Sequence, residues 1–349
     1  MRVSISIGTA PNKWEELAAY VAEAEKLGAW SAWSAESWGY DAVTPLAYLA
    51  GKTSKIRLGS GIIQAGTRTP ALVAMTAMSL ASMSDNRFIL GLGMSGPQVI
   101  EGWHGIPFKR PLQRMREIIE IVKIATAGEK VSYKGKVYEL PLLGGEGKPL
   151  KSGAPEVSMP IPIYLATLSP KSLQMTGELA DGWLGTSFMP EHASVFFEDI
   201  RRGAARAGRR FEDIDLQAGG VAAFSDDLDG LISRRKQGTA FTLGAMGSRE
   251  HNFYNAAFQR AGYEDVARHV QALWLDGKRD EAVALVPDEL VIKTNLLGTE
   301  SMVRDRIRAY RDAGVTTLRV DPDGRTVDER IETLGRVIDL VKGISEETA

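Results

Sequence analysis

Two side chains in this sequence are placed to move a proton beside apolar surface. Glu36 is a carboxylate within the tryptophan-rich run Trp33-Ser-Ala-Glu-Ser-Trp38. As a solvated loop acid it does nothing unusual; in a dry pocket its carboxyl would be pushed up and it could relay protons. His104 stands between Trp103 and Gly105, where it is either a packing histidine or a proton donor near neutral pH. A different chemistry is suggested by Ala166-Thr-Leu-Ser-Pro-Lys171. There the Thr167 and Ser169 hydroxyls and backbone N–H groups at a helix N-terminus could meet a phosphate, with Lys171 nearby; a plain helix cap is the alternative.

Glycine marks a further set of candidates. Ile56-Arg-Leu-Gly-Ser-Gly-Ile-Ile63 and Arg87-Phe-Ile-Leu-Gly-Leu-Gly93 are consecutive strands that both end in glycine-rich backbone. Glycine lacks a Cβ, so such backbone can lie close to a flat ligand, and two strand ends in succession suggest a cofactor site. At Gly59-Ser-Gly-Ile62 a bulge or strained peptide could end the strand, or the glycines could relieve crowding. Gly91-Leu-Gly-Met-Ser-Gly96 matches G-x-G-x-x-G after a strand, which raises a dinucleotide fold. No sustained helix follows it, however, and no second strand ends in an acid about twenty residues on. The loop Gly93, Met94, Ser95, Gly96 is therefore read as part of a cofactor pocket of another kind.

These residues need a scaffold, and strands alternate with helices nearly throughout. Strands are expected at residues 3–7, 29–35, 56–63, 87–93, 161–166, 182–185, 214–223 and 316–320. Helices follow at 14–27, 42–50, 112–125, 301–313 and 331–341, with others, one of them long and apolar, after Pro70, Pro170 and Pro190. Thr44-Pro45, Thr69-Pro70 and Ser169-Pro170 each combine a capping side chain with a proline at N1. Two stretches break the pattern: about 129–160, with a hairpin turning at Lys134-Gly135, and 225–298, which reads as several helices without a strand. Eight β units without a linker argue for one α/β domain, a (β/α)8 TIM barrel spanning residues 1–349, over a doubly wound sheet. Asp181, at the start of the sixth strand, is expected to hold that strand.

Composition limits the function. Of 349 residues, 44% are hydrophobic and 25% charged, with a formal net charge of −2, which gives no reason to expect nucleic acid or an anionic membrane as partner. No cysteine is present, which rules out disulfides, Cys-ligated metal and thiol catalysis. Four histidines without metal-ligand spacing leave no metal site expected. The first eight residues are too short and alternating for a signal peptide and no apolar run suits a membrane span, so a cytoplasmic protein is expected.

Taken together the chain resembles the luciferase-like monooxygenase superfamily, and within it the oxidoreductases that use the deazaflavin coenzyme F420. The resemblance rests on Ser34-Ala-Glu-Ser-Trp-Gly-Tyr-Asp41, Leu58-Gly-Ser-Gly-Ile62, Arg68-Thr-Pro70, the strand ending at Gly93, Ala180-Asp-Gly-Trp183 and Ala313-Gly-Val315. It implies a TIM-like barrel with cofactor at the C-terminal ends of the strands. It also implies a non-prolyl cis peptide under the ring at Gly61–Ile62 beside Ser60, a loop from Gly93 through Met94 and Ser95 to Gly96 flanking the ring, and cofactor phosphate at Thr167, Leu168 and Ser169. Relatives often carry Asp-His where this chain has Glu36-Ser37, so that histidine is missing. The implied function is hydride transfer between F420 and a small-molecule substrate, with Glu36 or His104 managing the proton. The alternatives are an FMN-dependent monooxygenase and a non-catalytic flavin-binding barrel. A homodimer is usual among relatives and is expected here. The 225–298 insertion, with Arg234, Arg235, Lys236, Phe241, Met246, Phe253 and Trp274, is expected to shape the substrate pocket.

Overall fold

The computed structural model describes residues 1–8, 13–155 and 159–347. Eight parallel strands close on themselves: β1 Arg2–Ser6, β2 Ser31–Ser34, β3 Arg57–Ser60, β4 Phe88–Gly93, β5 Ile163–Leu165, β6 Gly182–Leu184, β7 Asp215–Ala218 and β8 Thr317–Pro322. Closure is the β1–β8 pairing, with Arg2 opposite Thr317 and Ile5 opposite Val320. The expected (β/α)8 barrel is what forms. No helix among the described residues is long and apolar enough to cross a membrane.

Period-two alternation explains how each strand faces. In β4, Leu90 and Leu92 join the large core between barrel and helices, whereas Ile89 packs in the lumen with Trp33, Tyr164 and Leu184. Gly91 and Gly93 share the inward face of Ile89, and the space they leave is already taken. A Cβ at Gly91 would lie 1.7 Å from the Ser60 carbonyl oxygen, and one at Gly59 would lie 2.3 Å from the Trp33 ring. These glycines let protein approach protein; crowding, the alternative reading of the glycine pair, accounts for Gly59. At the opposite end of the barrel Asp215 plugs the lumen. It pairs with Arg2 at 2.6 Å and accepts bonds from Thr317 (2.8 Å), Tyr164 (2.8 Å) and Gln217 (2.9 Å). That face carries stability.

Several boundaries differ from the pattern read in the sequence. Residues 214–223 form two pieces, β7 and Val221–Phe224, because Gly219 and Gly220 come close to neighbouring backbone. A Cβ at Gly219 would sit 2.0 Å from the Arg319 carbonyl oxygen, and one at Gly220 would sit 2.2 Å from that of Thr294. The register is unbroken, Gln217 opposite Thr317 and Val221 opposite Asp321. The insertion, expected to be without a strand, contains Leu296–Gly298, paired with Val221–Phe224. Its helices Leu228–Gly244 and Glu264–Leu275 bury a separate apolar cluster around Leu231, Leu243, Val270 and Leu290.

Two of the three expected caps form. Thr69 accepts from the Leu72 N–H (3.3 Å), and Ser169 shares a capping box with Ser172, whose hydroxyl accepts from the Ser169 N–H (3.1 Å). Thr44 lies inside its helix, Val43–Ala50, and Asp41 caps it instead by accepting from the Val43 and Thr44 N–H groups, both at 2.8 Å. A hairpin forms near the expected place, but it turns over residues 135–138 and not at Lys134-Gly135, pairing Tyr133–Lys134 with Glu139–Leu140. Asp181 accepts from the Ile163 N–H at 2.9 Å and so ties β5 to the start of β6, as expected.

Candidate active site at the C-terminal mouth of the barrel

Three consecutive βα loops form one wall. The first follows β3, where the Gly61–Ile62 peptide is cis, as the resemblance implied. Gly61 N–H donates to the Ser34 carbonyl at 2.6 Å, and the chain re-enters the sheet at Ile63–Gln64, opposite Leu92 and Gly93. A Cβ at Gly93 would lie 2.9 Å from Ile62 Cγ1, so Gly93 is needed for Ile62 to seat. Ser60 is fully buried, and its hydroxyl donates to the Gly91 carbonyl and accepts from the Gly91 N–H, both at 2.9 Å. Its side chain is therefore a staple between β3 and β4.

The second loop carries Met94, Ser95 and Gly96. Ser95 takes a left-handed conformation (φ 58°), and Gly96 precedes the short helix Pro97–Ile100. The third loop follows β5. Ala166 N–H donates to the Leu92 carbonyl at 3.0 Å, which holds this loop against the second. The Thr167 hydroxyl is buried and engaged with that of Thr176 at 2.7 Å. The Thr167 and Leu168 N–H groups donate to no protein acceptor among the described residues, and the ten-residue helix Pro170–Leu179 starts just beyond them. Two free donors at a helix N-terminus suit a phosphate. Arg260 of the insertion adds a cation that the sequence reading passed over: its guanidinium donates to the Leu168 carbonyl at 2.5 Å.

Glu36 and His104 meet beside this wall, lining a cleft of about 280 Å³ with Tyr40, Gln64, Arg68 and Trp103. Glu36 is saturated with donors. Arg68 grips it through both guanidinium nitrogens (2.5 and 3.0 Å), the Gln64 N–H donates at 2.7 Å and the Ala42 N–H at 3.1 Å. The two side chains are only 8% and 19% exposed. No acceptor site on the carboxylate is left for a travelling proton, so the geometry makes it a brace for the chain just after the cis peptide. Arg68, previously noted only as part of a motif, is its partner. His104 is exposed and faces the same cleft.

A larger cleft of about 380 Å³ opens on the other arc of the mouth, between β1, β6, β7, β8 and the insertion. Of the insertion residues expected to line a pocket, Arg234 and Arg235 do so. Lys236 instead pairs with Asp288 (2.6 Å), and Phe241 packs edge-on against Trp274. Arg319 of β8, absent from the sequence reading, lies on the wall. Among the described residues no cluster of His, Cys, Asp or Glu could hold a metal.

The luciferase-like monooxygenase family model matches residues 1–317. The chain belongs to that family. Within it, the chain is 38% identical, over 92% of its own length and 96% of the relative's, to a Mycobacterium tuberculosis protein provisionally named a coenzyme F420-dependent oxidoreductase. It is 30% identical to the 5,10-methylenetetrahydromethanopterin reductase of Archaeoglobus fulgidus, over 93% and 95% of the two chains. Among solved structures, the coenzyme F420-dependent tetrahydromethanopterin reductase of Methanopyrus kandleri superposes with a TM-score of 0.77 at 25% identity, covering 96% of this chain and 98% of that one.

Proposed function

We propose that this protein is an F420-dependent oxidoreductase that transfers a hydride between the deazaflavin and a small organic substrate. The observation that carries the reading is the continuous wall made by Gly61–Ile62, the Met94–Ser95–Gly96 loop and the Thr167–Leu168–Ser169 loop. It presents packed, apolar backbone next to free N–H donors and a guanidinium, which is the donor set for a flat ring with a phosphate-bearing tail. Full-length relatives named for F420 support the choice of cofactor. When bound, the deazaflavin supplies the hydride chemistry.

The chain's own residues orient and shield. Ile62, packed on Trp33, Tyr164 and Leu184, offers an apolar surface and keeps water from beneath the site. The Thr167 and Leu168 N–H groups, with Arg260, hold an anion through charge-assisted bonds. Glu36 and Arg68 fix the strand that follows Ile62. His104, exposed on the neighbouring cleft, is the residue proposed to exchange a proton with solvent. The test is a paired titration of apo protein with F420 and with FMN, followed by a screen of donors for reduction of the bound cofactor. F420 binding at least about tenfold tighter than FMN is expected. Tighter FMN binding would favour the monooxygenase alternative, and binding without reduction by any donor the non-catalytic one.

A further inference from the structure

The larger cleft holds more positive charge than its neighbours neutralise. Arg235 is matched by Asp323 at 2.5 Å, and Asp321 on the same wall faces Arg330 at 3.6 Å. Arg319 and Arg234 have no carboxylate partner among the described residues. Among the described residues the one side-chain hydrogen bond of Arg319 runs from Nη2 to the neutral Gly185 carbonyl, at 2.7 Å. It lies deep in the barrel mouth, and the surface it keeps faces the cleft. Burial pushes its guanidinium down to about 10, and the titratable group acting on it is Tyr254, a neutral phenol at physiological pH. Arg319 is thus charged, half-buried on the cleft wall and without a carboxylate partner among the described residues, an arrangement that a ligand anion would complete. Thr239, Thr242 and Asn295 line the same space, but the hydroxyls donate to the Arg235 and Gly238 carbonyls (3.4 and 2.9 Å) and the Asn295 amide to the Val291 carbonyl (2.8 Å), which leaves an anion to the guanidinium groups.

We propose that Arg319, assisted by Arg234, binds an anionic group of the substrate, a carboxylate or phosphate, in the cleft between β7, β8 and the helix Leu228–Gly244. The anion would sit against the guanidinium fork, and the rest of the substrate would extend toward the wall around Ile62. This rests on the F420-dependent reading only in assigning the anion to a substrate. The same chemistry could come from an anionic part of the cofactor itself, and the experiment separates the two sources.

Isothermal titration is run with inorganic phosphate and with succinate, on apo and F420-loaded protein, for wild type, Arg319→Gln, Arg319→Lys and Arg234→Ala. F420 affinity is measured in parallel by fluorescence. Saturable anion binding by the loaded wild type is expected, weakened about tenfold or more in R319Q, less in R319K, and by roughly threefold in R234A, with F420 affinity unchanged. No saturable binding by wild type, or equal binding by R319Q, overturns the proposal. Anions excluded by F420 would give the site to the cofactor and overturn the substrate assignment. Arg319-dependent anion binding in a protein that does not bind F420 would sink the cofactor reading and leave the anion site standing. Should R319Q fail to fold, R234A decides: an unchanged anion affinity there refutes the idea.

Discussion

Replacing Glu36 by glutamine separates a brace from a proton relay. The carboxylate accepts four hydrogen bonds, two from Arg68 and one each from the Gln64 and Ala42 N–H groups. An amide keeps one oxygen and turns the other position into a donor, which then faces donors. Two charge-assisted bonds are lost and Arg68 is left without its counter-charge. Removing one partner of a buried pair costs about 3–5 kcal/mol. Because Arg68 borders a cleft and can regain water, the lower end, about 3 kcal/mol, is expected, or a fall in Tm of roughly 6 °C for a chain of this size. The Gln64 N–H bond holds the segment directly after Gly61–Ile62, so part of that loss should reappear on binding F420. If about half does, affinity falls roughly tenfold. Thermal melts, F420 titration and kcat at saturating F420 are measured together. Tm and affinity should fall while kcat stays within about threefold of wild type. A kcat collapse with unchanged Tm and affinity would refute the brace and restore Glu36 as a proton carrier.

Gly91→Ala places a Cβ 1.7 Å from the immobile Ser60 carbonyl oxygen, whereas Gly66→Ala makes ordinary contact, 3.6 Å from Ile100. Urea denaturation should show a loss of about 3 kcal/mol or more for the first and under about 1 kcal/mol for the second; equal losses would refute the packing argument. Glu117 is buried, which alone would raise its carboxyl. Bonds from Gln113 and from the Tyr138, Lys136 and Val137 N–H groups outweigh this and hold it below its ordinary value. A group depressed in the folded state stabilises above its unfolded value, near 4.3, and that contribution fades as pH falls through the folded value. Glu117→Gln should therefore lower Tm at pH 7, with the gap to wild type closing below about pH 4; a gap independent of pH would refute it.

Much of this was legible in advance, for identifiable reasons. Helices such as Trp14–Leu27 and the alternating strands declare themselves through period, and the strand count sufficed for the barrel. The glycines were located correctly, and relief of crowding was one of the two readings open at Gly59, but residue type alone could not choose between them. Whether the space beside a glycine holds a ligand or a neighbouring strand depends on register, and at Gly59, Gly91 and Gly93 it holds Trp33, Ser60 and Ile62. The same limit applies to Glu36. Its residue type fits a proton carrier equally well, and what favours a brace is the arrival of Arg68 from 32 positions away.

Arg319 is a different case, because a signal for it was present. Along Thr317-Leu-Arg-Val-Asp-Pro322 the residues Leu318 and Val320 are buried in the core beneath the helices. In a closed barrel the alternate residues must then face the lumen. Thr317 does, bonding to Asp215 at the closed end. Arg319, two residues further, falls on the same face but toward the open end, where the cleft begins. A half-buried cation on the inward face of a barrel strand meets less water than one on the outer surface, so a carboxylate, a carbonyl or a ligand is its favourable complement. β8 brings it a carbonyl, that of Gly185, which cannot neutralise it. That remainder of charge is what makes an anionic substrate the natural complement of this mouth.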